Sequence, residues 1–464
     1  MQAEQSHLTA DVVICGAGIA GIATAYQLAV KEGIKRVLLV DPRPPLSLTS
    51  DQSTECYRNW WPGPDDAMIR LMNRSIDLLE NLARESGNRF HLNRRGYLYA
   101  TAQPAGIAAL ESGARQAARQ GAGPLRYHTG RAGEEPYSPA PPHGFESQPT
   151  GADLILDKRL IGTHFPYLSG RTVAVLHTRR CGWLSAQQLG MYLWEQVRAR
   201  GVRLISGEVQ EVRQSGGRIV AVRIGERGGS SWVSTRIFIV AAGPYVREVA
   251  RMLGIDLPIY AEQHVKIAFS DHLRIVPRDA PLLIWNDSVE LGWSPEERAF
   301  LQQAESTRGL LETLPPGAHT RPEGGGHSDV LLLLWPYHTE PVAPTFPLTL
   351  APHQPEIILR GVATMIPALA RYLERMPKPV IDGGYYTRTR ENRPLIGPLR
   401  PRGAYVIGAL SGFGIMIAAG AAELLAAHIT GASVPDYAPA FAVSRYDDPA
   451  YVEQLDSWGE TGQL

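Results

Sequence analysis

An apolar run opens at Asp11 and ends at Cys15, where Gly16-Ala17-Gly18-Ile19-Ala20-Gly21 interrupts it. An apolar stretch of helical character then reaches Val30, and a second apolar run closes on Asp41. Short continuous apolar runs bounded by glycine read as buried strands and the longer stretch as a helix, so the order is strand, glycine turn, helix, strand, acid. Farther on, Met68, Leu71, Met72, Ile76, Leu79 and Leu82 recur at helical spacing and predict a helix over Ala67 to Ser86. Tyr97 to Ala100 reads as a short strand. Ser185 to Arg200 reads as a helix closed by Gly201, followed by strands at Arg203 to Ile205, Ile219 to Ile224 and Ile237 to Ala241. Leu257 to Ala268 is extended, Val330 to Trp335 strand-like, and Ile357 to Met376 helical. Two stretches crowded with Pro, Gly and polar residues, 121–150 and 270–328, read as irregular surface excursions. No internal repeat is visible.

The opening pattern has a chemical meaning. Gly16 permits a tight turn, Gly18 lets backbone approach a pyrophosphate at the helix N-terminus, and Gly21 lets helix and strand pack closely. Asp41, twenty positions after Gly21, is placed to accept hydrogen bonds from a ribose. These residues predict a dinucleotide-binding βαβ unit.

At 464 residues, 44% hydrophobic and 20% charged, the chain is long enough for two or more domains around a large core. Its 46 basic residues balance 46 acidic ones, so no basic field is available to hold nucleic acid or an anionic membrane. Cys15, Cys56 and Cys181 are too few and scattered for a disulfide framework or zinc site, and the 13 histidines show no metal-ligand spacing. The first ten residues lack the regions of a signal peptide, and the apolar stretch Ala409 to Ala422 meets Glu423 before it could span a bilayer. The expectation is a cytoplasmic protein without a membrane span, metal or nucleic-acid partner, with oligomerisation left open.

Near the C-terminus, Gly383-Gly384-Tyr385-Tyr386-Thr387-Arg388-Thr389-Arg390-Glu391-Asn392-Arg393-Pro394-Leu395-Ile396-Gly397-Pro398 precedes Ala404-Tyr405-Val406-Ile407-Gly408-Ala409-Leu410-Ser411-Gly412-Phe413-Gly414-Ile415-Met416. Together with the N-terminal fingerprint and Val240-Ala241-Ala242-Gly243-Pro244, these blocks resemble the D-amino-acid oxidase/sarcosine oxidase family of FAD-dependent amine oxidoreductases. The resemblance implies a mixed α/β fold. A Rossmann-like FAD domain would be assembled from 1–66, 151–256 and 382–432, a substrate domain with a large mixed or antiparallel sheet from 67–150 and 257–381, and a tail from 433–464. It implies FAD contacts from Gly16, Gly18, Ile19, Ala20 and Gly21, from Asp41, Pro42 and Arg43, and from Thr49, Ser50, Ser53 and Thr54. Val209 would hold the adenine through its backbone, Ala242 and Gly243 would run beneath the nucleotide, and Gly408 and Ser411 to Met416 would follow the flavin ring.

Counted without gaps, the arginine that binds the substrate carboxylate in sarcosine oxidases falls on Arg58, a residue type whose fork pairs both carboxylate oxygens. Tyr386 and His338 are the next side chains implied at the substrate, His338 as an acceptor of the amine proton or as a hydrogen-bonded core histidine. Where sarcosine oxidases carry a flavin-tethering cysteine this chain has Gly384, which implies non-covalent FAD, while Cys56 lies near another family tether or is an unreactive small residue. Met416 stands where those enzymes place a carboxylate-binding lysine, favouring a bulkier or less polar substrate. Leu334 stands where they place the lysine that activates oxygen. Lys266 either substitutes for it or is a surface lysine, the latter preferred; the acceptor is accordingly oxygen or a redox protein. The implied activity is oxidation of the C–N bond of a small-molecule amine or amino acid, secondary or N-alkyl forms favoured, with hydrolysis of the imine. An FAD-binding subunit or assembly factor with little turnover is the alternative, and an FAD-dependent hydroxylase a weaker one.

Overall fold

A computed structural model of the chain describes residues 8–455 and Trp458. Residues 1–7 of the expected nucleotide domain, and 456–457 and 459–464 of the expected tail, lie outside the described residues.

The βαβ unit forms as its pattern requires. Val12–Cys15 is buried along its whole length and pairs in parallel with Val37–Asp41 on one side and Ile237–Val240 on the other. Strands covered on both faces carry continuous apolar runs rather than alternation, which is why these segments read so clearly. Arg203–Ser206 and Ala404–Gly408 extend the parallel order outward, and antiparallel Leu395–Pro398 completes a six-stranded sheet. Ile19–Tyr26 crosses this sheet and packs against Ala186–Ala199 and Gly414–Thr430. The helix Ala67–Ser86 has the predicted bounds, buries the predicted face and stops at Gly87, whose φ is +64°. The segment Ser411–Thr430 is long and apolar enough to cross a membrane by length and composition, but two thirds of its apolar window is buried, and it packs against helices Ile19–Tyr26 and Ala67–Ser86.

A second, nine-stranded sheet runs in the order Val380–Arg388, Tyr260–Ser270, Val330–Leu334, His319–Pro322, Leu282–Trp285, Tyr97–Thr101, Ala174–Thr178, Ala152–Ile155, Leu125–His128. It is mixed, with parallel pairing only between Leu282–Trp285 and Tyr97–Thr101 and between the last two strands. Alternation divides its faces. Tyr97, Tyr99, Leu282 and Ile284 enter the same core as the nucleotide-domain helices, while Leu98, Ala100, Leu283 and Trp285 enter a second core under Gln354–Met365.

The mixed α/β fold, with its six-stranded parallel-type sheet and large mixed sheet beside two smaller ones, agrees with the expectation, but four boundaries are corrected. Residues 152–178, expected in the nucleotide domain, supply two strands of the nine-stranded sheet. The stretch 270–328 is not an excursion throughout, because Leu282–Trp285 and His319–Pro322 are inner strands, each too short to stand out from its polar flanks. Val380–Arg388 crosses the boundary drawn at 382 to form the edge strand beside Tyr260–Ser270. The helix expected over Ile357 to Met376 ends at Met365, because Pro367 forces Ile366 out of the helical region to φ −122°, ψ 83°.

At the far end of the large sheet, Asp153 is buried and accepts from Arg126 at 2.7 and 3.0 Å, from Arg179, and lies 2.9 Å from His128 Nε2. Burial works to raise its pKa, but Arg126, Arg179 and His128 outweigh burial and hold the carboxyl well below the usual range. A depressed folded-state pKa contributes stability that is present above the unfolded value and lost as pH falls through the folded one. Asp153→Asn, which leaves buried guanidinium charge uncompensated, is expected to cost roughly 3–5 kcal/mol at pH 7 in urea unfolding. The deficit relative to wild type should persist at pH 5 and shrink below about pH 4.

Candidate active site

Two adjoining cavities occupy the junction of the sheets. The larger follows the C-terminal ends of the parallel strands, where open α/β sheets bind ligands. Gly16 turns at φ +116°, and a Cβ there would lie 2.3 Å from the Ala241 carbonyl oxygen; one on Gly21 would lie 2.0 Å from that of Gly16. Gly18 faces the cavity, with only Ser50 Oγ near a Cβ at 3.2 Å. Ser50 Oγ also accepts from Ile19 N at 3.0 Å, fixing the helix start. Asp41 accepts from Ala17 N at 2.8 Å and Arg43 N at 2.9 Å, which pins its carboxylate at the cavity wall with lone pairs to spare.

Ala20, Pro42, Arg43, Thr49, Ser53, Val209, Ala242, Gly243, Gly408, Ser411, Gly412, Gly414 and Ile415 also line this cleft. Ala409 and Ser411 hold φ of +52° and +48°, conformations that non-glycine residues adopt at a cost of order 1–3 kcal/mol. The Oγ atoms of Thr49 and Ser411 are buried without a hydrogen-bond partner. A glycine cradle, a pinned carboxylate and unpartnered hydroxyls along one cleft fit an extended dinucleotide. Gly21 lines neither cavity and serves packing, while Thr54, Phe413 and Met416, expected beside the cofactor, line the second cavity.

The second cavity meets the first at Tyr386 and Gly412, which line both. Arg58 is buried in the short strand Cys56–Arg58, which pairs with Cys181–Trp183. Its Nη1 donates to Tyr99 Oη at 2.8 Å and its guanidinium lies 5.5 Å from the Trp61 ring. Trp61 packs edge-on against Phe413 at 5.2 Å, behind the cavity lining. Leu334, Trp335, Tyr337, Ile358 and Met416 supply an apolar side. Cys56 faces the cavity too, but its thiol donates to the Thr54 carbonyl at 3.0 Å, and burial pushes its pKa up, away from the reactive thiolate.

Sheet register explains the rest. Asp382, Lys266, Leu334, His319, Ile284 and Tyr99 are directly opposite one another across successive strands and therefore share the face turned to the cavities. Lys266 is thus buried rather than on the surface. Its Nζ donates to the carbonyls of Gln52 at 2.8 Å and Ser53 at 3.2 Å and lies 3.0 Å from Asp382 Oδ1. His338 lies at the cavity mouth with its side chain 69% exposed, 3.4 Å from Glu340. Two other histidines, unremarked in the sequence, stand deeper. His264 stacks on Tyr386 at 3.9 Å with Nε2 3.3 Å from Glu262, and His319 sends Nδ1 to the Gly317 carbonyl at 2.8 Å. Burial lowers the pKa of both, that of His319 to about 4, so both rings are neutral at neutral pH. Only strand register, invisible in an isolated segment, brings them to the site.

The sequence profile of the FAD dependent oxidoreductase (DAO) family matches residues 11–428. No curated protein matches the sequence. Similar solved structures include L-proline dehydrogenase from P. horikoshii, with TM-score 0.72 and 18% identity over 95% of this chain and 98% of that one. Glycine oxidase from Geobacillus kaustophilus follows with TM-score 0.70 and 16% identity over 94% and 98%, and iminodiacetate oxidase from Chelativorans sp. BNC1 with 0.67 and 16% over 93% and 98%. At these identities the likeness is one of fold.

Because Gly384 offers no tether and the Cys56 thiol is pinned and protonated, acid precipitation should release all bound FAD into the supernatant. Colour retained in the wild-type pellet but lost in that of Cys56→Ser would instead reveal a thioether.

Proposed function

As the chain belongs to the family of FAD-dependent oxidoreductases, we propose that it oxidises the C–N bond of an amino acid whose carboxylate is held by Arg58. The observation that carries this reading is a buried guanidinium in a cavity that meets the cofactor cleft at Tyr386 and Gly412. The names of the similar structures, a proline dehydrogenase, a glycine oxidase and an iminodiacetate oxidase, support a substrate that joins an amine to a carboxylate.

FAD, when bound, supplies the two-electron acceptor for the α-hydrogen. The chain's own residues bind, orient and dry the substrate. Arg58, braced by Tyr99 and Trp61, pairs both carboxylate oxygens and sets the distance from the anchor to the reacting carbon. Trp335, Tyr337, Leu334 and Ile358 exclude water and accept an apolar side chain, so a bulky apolar amino acid, primary or N-alkylated, suits the site better than a small polar one. Tyr386, stacked on His264, walls the passage between the cavities. Leu334 brings no charge, and Lys266 is neutralised by Asp382, so a redox carrier serves as electron acceptor in preference to oxygen.

Anaerobic mixing with a panel of primary, N-methyl and cyclic amino acids should bleach the flavin band with at least one apolar member, and a panel without effect would sink the reading. Arg58→Met is expected to lower kcat/KM by roughly a hundredfold or more, since it removes the charged partner of a buried carboxylate. Reduced enzyme should reoxidise slowly in air and rapidly with a dye acceptor in stopped-flow measurements.

A further inference from the structure

The three imidazoles of the substrate cavity differ in what would stabilise a proton on them. His319 faces a carbonyl, which only accepts, so Nδ1 carries its hydrogen, and no carboxylate is paired with it among the described residues. His338 stands in solvent at the mouth. His264 combines a place in the cavity wall with a buried carboxylate, Glu262, whose Oε2 lies 3.3 Å from Nε2. Because a carboxylate accepts, the ring hydrogen sits on Nε2, and Nδ1 is left as an acceptor. Glu262 is itself held by Arg388 Nη1 at 3.0 Å, and Tyr386 stacked at 3.9 Å fixes the ring plane.

The geometry points to His264 as the base that takes the ammonium proton of the Arg58-bound amino acid, with Glu262 stabilising the imidazolium so formed. This rests on the amino-acid reading above. An ammonium nitrogen has no lone pair to support departure of the α-hydrogen as hydride, so neutralisation must come first. In the step a substrate N–H bond breaks, an Nδ1–H bond forms, and the electron pair stays on the substrate nitrogen. Nothing is oxidised until the α-hydrogen leaves with its two electrons for FAD, and the imidazolium returns its proton to solvent as product departs. The charged and titratable groups around His264 are Glu262 and Lys266 on its own strand, Asp382, Tyr386 and Arg388 on the adjoining strand, His319, Arg58, Cys56, Tyr97 and Tyr337 elsewhere in the cavity wall, and His338 at the mouth. Burial keeps the resting ring neutral and ready to accept.

The test uses FAD-loaded His264→Gln and Glu262→Gln. Two probes are titrated by flavin spectral change: α-methylleucine, which has no α-hydrogen, and 4-methylpentanoate, the leucine carboxylate skeleton without the amine. Loss of a charge-assisted hydrogen bond should weaken α-methylleucine about tenfold in His264→Gln, with 4-methylpentanoate unchanged. Anaerobic flavin reduction by the best panel substrate should fall about a hundredfold or more at pH 7 and recover as pH approaches the amine's own pKa, where the substrate arrives neutral. Glu262→Gln should show the same pattern more weakly, and it decides the matter should His264→Gln not fold. Equal weakening of both probes, no weakening of either, or a rate deficit that pH does not repair overturns the assignment. If wild type responds to α-methylleucine and panel while His264→Gln behaves alike, only the role of His264 falls. If wild type responds to neither, the amino-acid reading falls and takes this assignment with it.

Discussion

Both cavities depend on one fully buried guanidinium. Arg321, on the inner strand His319–Pro322, donates to the Thr54 carbonyl at 2.9 and 3.2 Å and pairs with Glu55 at 3.3 Å and Glu323 at 2.5 Å. Removing an arginine from water is expensive, and the cost is met here because carbonyl and carboxylates surround it. What it holds is the segment from Thr49 to Arg58, which lines the larger cavity at one end and the second cavity at the other. Glu55 sits at φ +63°, a strained conformation, and its side chain accepts from Ala186 N at 2.8 Å, so the turn is fastened to the nine-stranded sheet through Arg321 and to the start of the helix Ala186–Ala199.

Charge in the substrate cavity is correspondingly sparse. Arg58 is its fixed cation, the deep histidines are neutral at rest, and Glu262 is committed to Arg388 and His264. Lys266 shows the alternative use of a buried cation. It is tied to Asp382 and to the carbonyls of the cofactor segment, where it positions backbone.

The six-stranded and nine-stranded sheets meet in one shared core. Tyr97, Tyr99 and Ile284 from the nine-stranded sheet pack in the same cluster as Ile22, Met72 and Ile417 from the helices over the nucleotide sheet. The cavities therefore lie in a continuous packed body, and cofactor and substrate residues are held by the same dense interior rather than across a hinge.

The nucleotide unit was legible in sequence because its determinants are local: glycines with no room for a Cβ, continuous apolar strands and an acid at fixed spacing. That Arg58 lines the second cavity agrees with the place the resemblance implied for it, while its part in binding substrate stays a proposal. Strands such as Leu282–Trp285 and His319–Pro322 were not, because four residues carry too little periodicity to outweigh polar flanks. The burial of Lys266 and the roles of His264, His319 and Arg321 were likewise hidden. Each depends on which residue of a distant strand lies opposite it, and register is chosen by burial of a whole face against the helices. Sequence alone determined the cofactor fold and family; tertiary structure decided which side chains meet in the substrate cavity and which of them can hold a proton.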